Sequence, residues 1–316
     1  MPLERVFLDV ALLSPDTYAA GLRALPPESR TKVVRYHFAA DRRLSLGSAL
    51  LQRWLLCRHY APYSSLALVP IHIDPQSGRP SHAAPAAPEP GLLRSGYGAV
   101  LDYNASHHRP TVAGQRCVVA MGALTATAAA AAAGHQDVSA AGPEQARIGV
   151  DVVPTTYDRG GNAQDFVDNY CSSSAGVFTA HEVVTITAHA SLADRVRCLY
   201  LVWALKEAYT KATGTGVVTD LTRIEFRRVT LFDPRRRWRD AQLWIDGVDR
   251  SPAWYFEVTF LPIVPGDGAD GGGGGDGIYL AVCAPRAALT EDDMAGDWRA
   301  LDVDRDILQP WGGGVA

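Results

Sequence analysis

Leu199 to Gly216 reads LYLVWALKEAYTKATGTG. Trp203, Glu207 and Lys211 recur every fourth residue, so on a helix they form one stripe, flanked by the apolar Val202, Leu205, Tyr209 and Ala212. A carboxylate and an ammonium therefore stand one turn apart. Ser191, three residues before Asp194, suits a capping box and Gly214 a stop, which frames a helix of roughly 20 residues, long for a surface helix. Taken alone, Glu207 and Lys211 are an ordinary ion pair worth about 0.3 kcal/mol.

The flanking sequence supplies partners for this helix. Downstream, residues 224–226, 242–245, 254–261 and 278–284 read as strands of an antiparallel sheet. Upstream, Thr179 and Glu182 scan as a capping box, which makes Glu182 structural. In RIGVDVVP, Arg147 to Pro154, strand alternation puts Gly149, Asp151 and Val153 on one face. Asp151 projects beside a glycine, where something large can come close, and a buried structural acceptor is an equally good reading of it.

In the first half, a strand over 6–13 precedes a short helix opened by Ser14. Residues 30–58 carry a second helix, with Asp41 as its N-cap. Arg42 and Arg43 then fall in the first turn, where cations oppose the macrodipole unless an anion is shared with the free backbone N–H groups. With Lys32 and Arg35 they otherwise form a solvated basic face. A strand over 71–73 leads to a turn, Gln76 to Pro80, that presents Arg79. Residues 81–100 read as a loop insertion, and the strand from Val100 ends in YNASHH. Ser106 and His107 are adjacent on a strand and point to opposite faces, which rules out a serine–histidine hydrolase pair. Two further stretches carry no chemistry: the alanine-rich 124–146 and the glycine-rich 265–277, which lacks the G-K-[ST] of a phosphate loop. The tail after Pro285 reads as partly helical and dispensable.

Composition sets the bounds. The 316 residues are 47% hydrophobic and 20% charged, enough for one large or two small cores. A net charge of -4 gives no general attraction to nucleic acid or an anionic membrane, so any anion site is built locally. The run Arg235 to Arg237 reads as a solvated loop. Five scattered cysteines without a C-x-x-C fit reduced thiols in the cytoplasm, and the N-terminus has neither a signal peptide nor a membrane span.

SGRP at Ser77–Pro80, YNASHH at Tyr103–His108, IGVDVV at Ile148–Val153 and W-x-x-K-E-x-x-x-K at Trp203–Lys211 occur in an order and spacing that together resemble one family. These are the 4'-phosphopantetheinyl transferases of the two-halved, surfactin-synthase-activating type, with the human and fungal members nearest in pattern. The resemblance covers residues 30–220 and implies an α+β fold of two similar halves related by a pseudo-twofold axis. Here they are expected at 1–146 and 147–290, followed by a tail at 291–316. It implies coenzyme A contacts from Lys32, Arg35, Arg43, Arg79, Ser106, His107, Lys206 and Lys211, and Mg²⁺, with Mn²⁺ as a substitute, on Asp151 and Glu207. Glu207 and Lys211 would be catalytic, as base and as support for the leaving group. Many bacterial members carry a glutamate where this chain has Val153, a third metal ligand that human and fungal members also lack.

The activity so implied is transfer of the phosphopantetheine arm of coenzyme A to a serine of an apo carrier domain. The carrier belongs to a fatty-acid, polyketide, nonribosomal-peptide or aminoadipate-reductase enzyme, and the transferase is a cytoplasmic monomer with no nucleic-acid or membrane partner. Two rival classes fit the residues: a module that binds coenzyme A or a carrier protein without turnover, and an unrelated Mg²⁺-dependent phosphohydrolase.

Overall fold

A computed structural model of the chain describes residues 3–73, 79–81, 92–95, 97–110, 115–125, 147–157, 160–216, 219–263 and 276–312. In chain order its elements begin with β1 (Leu3–Asp9), α1 (Pro15–Arg23), α2 (Pro27–Val34), α3 (Ala39–His59), β2 (His72–Ile73), β3 (Pro80–Ser81), β4 (Val100–His108) and β5 (Val118–Thr125). There follow β6 (Gly149–Pro154), α4 (Ala163–Cys171), α5 (Ala180–Thr187), α6 (Leu192–Thr213), β7 (Ile224–Arg227), β8 (Gln242–Ile245) and β9 (Val248–Asp249). The chain closes with β10 (Trp254–Pro262), β11 (Gly277–Pro285), α7 (Glu291–Ala295), β12 (Arg299–Ala300) and α8 (Gln309–Trp311). The alanine-rich stretch beyond Thr125, most of the glycine-rich loop and most of 81–100 lie outside the described residues.

Two compact units divide this mixed α+β chain: unit 1 comprises 1–109, 116–147 and 288–316, and unit 2 comprises 110–115 and 148–287. In unit 1, β5 is wholly buried and pairs antiparallel with both β1 and β4, giving the order β12-β1-β5-β4. Leu46, Leu50, Trp54 and Cys57 of α3 join the core with Val119 and Met121 of β5. Two sequence expectations change here. The helix begins at Ala39 with Phe38 as its N-cap, so Asp41 lies inside the first turn, where its carboxylate accepts from Arg109. The tail is built into the unit: β12 pairs parallel with β1, and Leu301, Val303 and Ile307 are buried in the same core.

In unit 2, β11 is central, with the order β10-β11-β6, and β7-β8-β9 forms a separate small sheet. α6 runs 22 residues from a Ser191 cap, whose hydroxyl accepts from the Asp194 N–H, to the left-handed Gly214. Buried residues occur on all its sides, the pattern of a helix inside a core rather than on a surface. Gly149 is what lets it approach β6: a Cβ there would lie 1.8 Å from the backbone oxygen of Ala208 and 2.6 Å from the Ala212 nitrogen. The large neighbour beside Asp151 is thus the helix itself. Gly149→Ala has no flexible side chain to displace, and we expect a loss of about 2 kcal/mol or more and a Tm lower by at least about 4 °C. An unchanged thermal melt would mean that helix and strand are not in backbone contact.

The five cysteines are free thiols, with Cys57, Cys117 and Cys198 pushed up to about 12 by burial. No helix among the described residues is long and apolar enough to cross a membrane.

Candidate active site

The close β6–α6 contact brings together three of the residues singled out in the sequence. Asp151 shares the α6-facing side of β6 with Gly149, and its Oδ1 accepts from Lys211 Nζ at 2.6 Å; Lys211 also donates to the Val150 carbonyl at 3.1 Å. Glu207 lies one helical turn before Lys211 and is half-buried. Burial raises the pKa of its carboxyl and the negative charge of Asp151 raises it further, with Lys211 opposing. Two carboxylates thus sit within each other's field, with the Lys211 ammonium bonded to Asp151.

Val153 points to the same side but packs into the apolar core at 7% exposure, so a glutamate there would bury a charge and not extend the carboxylate pair. Lys206, assigned to phosphate by sequence resemblance, is only 1% exposed. Its ammonium donates to Glu182 Oε2 at 2.7 Å, the Leu221 carbonyl at 2.7 Å and the Ile224 carbonyl at 2.5 Å. Those acceptors use its three protons, which removes it from any phosphate. Glu182 keeps its structural role: it closes the capping box with Thr179 and accepts from the Phe226 N–H.

Within unit 1, a cavity of about 500 Å³ lies between α2, α3 and β4, with Lys32 and His107 in its lining. β4 runs to His108, so His107 shares a strand face with Ala105, also a lining residue, while Ser106 takes the opposite face. Arg35, Arg43, Arg79 and Ser106 are absent from this lining. Arg35 is exposed at the end of α2. Arg43 donates to the carbonyls of Val10 and Ala11 at 3.4 and 2.9 Å, and Arg42 to those of Tyr36 and His37 at 3.0 Å. The conflict of two cations at a helix N-terminus is therefore relieved by backbone carbonyls. Residues 76–78 of the expected turn lie outside the described residues, and Arg79 itself is part-buried in an ion pair with Asp102 at 2.5 Å.

The sequence reading missed the cavity's floor. Asp41, Ser45, Ser48 and Gln52 all line the cavity. Their spacing of four, three and four residues marks a polar stripe on an otherwise apolar helix, a signal available in the sequence. Arg53 beside them is 5% exposed, and its guanidinium donates to the Ser29 hydroxyl at 2.8 Å, tying α3 to α2.

Residues 147–257, which contain Asp151, Glu207 and Lys211, match the family model of the 4'-phosphopantetheinyl transferase superfamily. Over that segment the chain resembles this superfamily. Similar proteins include the 4'-phosphopantetheinyl transferase NpgA of Emericella nidulans, 28% identical over 72% of this chain and 67% of the relative. The 4'-phosphopantetheinyl transferase pptA of Paxillus involutus is also 28% identical, over 67% and 68% of the two chains. The L-aminoadipate-semialdehyde dehydrogenase-phosphopantetheinyl transferase of Homo sapiens is 24% identical, over 76% and 64%. Fungal and animal phosphopantetheinyl transferases are thus both among its relatives.

Proposed function

We propose that the chain transfers the 4'-phosphopantetheine arm of coenzyme A to a serine of an apo carrier domain and releases adenosine 3',5'-bisphosphate. The observation that carries this reading is the Asp151–Glu207–Lys211 cluster at the β6–α6 contact, inside the segment that matches the family. In this reading the carriers are those of fatty-acid, polyketide, nonribosomal-peptide or aminoadipate-reductase enzymes.

The donor set fits Mg²⁺, a hard cation that takes one or two carboxylates and completes an octahedral shell with phosphate oxygens and water. Asp151 and Glu207 would hold it; among the described residues no group of three His, Cys, Asp or Glu gathers to form a fuller cage. When bound, the ion would neutralise charge on the pyrophosphate. The protein does the rest. Glu207, raised toward the basicity a general base needs, takes the proton from the carrier serine as its Oγ attacks the phosphorus that bears the pantetheine arm. The bond from that phosphorus to the bridging oxygen breaks, and the departing bisphosphate gains negative charge beside Lys211. Lys32 and His107 are assigned to the phosphates of coenzyme A in the unit 1 cavity.

Incubation with fluorescent coenzyme A, Mg²⁺ and an apo carrier tests the reading. Covalent label on the carrier is expected. Binding without label would make the chain a binding module, and free phosphate would make it a hydrolase. For the cavity, His107→Ala should raise KM for coenzyme A about five- to tenfold with a smaller change in kcat, because His107 contacts a part of the donor that does not react. Arg43→Ala should instead lower Tm, since it loses its carbonyl contacts. If Arg43→Ala melts like wild type and raises KM as much as His107→Ala, Arg43 is a coenzyme A contact and its structural assignment falls.

A further inference from the structure

The ion pair between Lys206 and Glu182 is buried at both ends, 1% and 0% exposed, and connects elements far apart in the chain. Lys206 lies on α6 next to Glu207. Its ammonium reaches Glu182 at the start of α5 and two carbonyls at residues 221 and 224, on the approach to β7. Glu182 in turn accepts from the N–H groups of Thr179 and Phe226, both at 2.8 Å. Taking two charges out of water is costly, and apolar replacements of such pairs are often equally stable, so the pair's contribution is better sought in geometry than in stability.

We infer that Lys206 and Glu182 are positioning residues that fix the rotation of α6 and so hold Glu207 opposite Asp151. The inference rests on the transferase reading of those two carboxylates. Successive helical residues are about 100° apart, so Glu207 lies between two anchors: Lys206 on one side and, on the other, Ala208, whose backbone abuts Gly149. A turn of about 20° about the axis moves a side-chain tip at a radius of about 6 Å by about 2 Å. Displacements of about 1 Å are enough to cost about a hundredfold in a positioned reaction. The pair touches no reacting atom, and its effect passes entirely through α6.

Two variants test this. Lys206→Arg keeps the buried charge but cannot reproduce the three-acceptor geometry of an ammonium, and Glu182→Gln keeps the volume and one acceptor without the charge. For each we expect a cooperative melt, kcat at least tenfold lower, KM for coenzyme A within twofold of wild type, and Mn²⁺ affinity, read from the electron paramagnetic resonance of free Mn²⁺, weakened about tenfold. A purely structural pair would lower Tm and leave kcat and Mn²⁺ affinity alone, so a folded variant with wild-type values of both overturns the inference. Failure of both variants to fold also overturns it, because the pair would then be a requirement of folding and not of alignment. If wild type labels no carrier yet the variants lose Mn²⁺ affinity, the alignment role stands and the transferase reading falls. If wild type binds no Mn²⁺, the carboxylate pair on which the inference rests is not a metal site.

Discussion

Asp151→Ala should reduce transfer to a carrier serine by at least about a thousandfold at millimolar Mg²⁺, the scale of losing a group that balances transition-state charge. Two effects combine in this variant. One carboxylate cannot compete with water for a strongly hydrated ion, and Lys211 loses the oxygen that holds it at 2.6 Å. The defect should lie in kcat and in the metal dependence. Asp151→Asn separates the effects, because the amide oxygen still accepts from Lys211 while the negative charge is gone. Wild-type labelling by Asp151→Ala in a folded protein would remove Asp151 from the site.

Glu207→Gln should cost at least about a hundredfold in kcat, the typical contribution of a positioned base. Glutamine preserves volume and one oxygen, so a role limited to holding metal would be largely restored by high Mg²⁺ or by Mn²⁺. A role as base would not be. We expect partial rescue, as Glu207 serves both. Complete recovery in Mn²⁺ would assign the proton transfer to another group, and an unimpaired variant would exclude Glu207 from the reaction.

What the sequence made legible was local. The ends of α6 follow from Ser191 and Gly214, whose capping and left-handed conformations depend on a few neighbouring residues, and the Thr179–Glu182 box is equally self-contained. The stripe placing Glu207 and Lys211 one turn apart follows from helical periodicity, as does the common face of Gly149, Asp151 and Val153 from strand alternation. What could not be read depends on residues distant in sequence. Nothing adjacent to Lys206 shows that its acceptors come from residues 182, 221 and 224, or that Arg79 is paired with Asp102. The role of Asp41 failed for a smaller reason: the helix starts three residues earlier than the N-cap preference suggests, and its carboxylate is occupied by Arg109. Val153 shows that the direction of a side chain is predictable from alternation while its surroundings are not.

The pairing of β12 with β1 bears on the order in which the protein assembles. Unit 2 is built almost entirely from one continuous stretch, 148–287, whereas the sheet and core of unit 1 need residues 299–307. During synthesis the usual order, first unit made and first unit folded, is therefore inverted. The segment with the carboxylate pair can reach its final form while the N-terminal unit still lacks an edge strand, and an unpaired β1 edge is open to other strands until Arg299 and Ala300 emerge. Chaperone engagement, premature termination and cleavage just before Arg299 would thus all be felt at the opposite end of the chain.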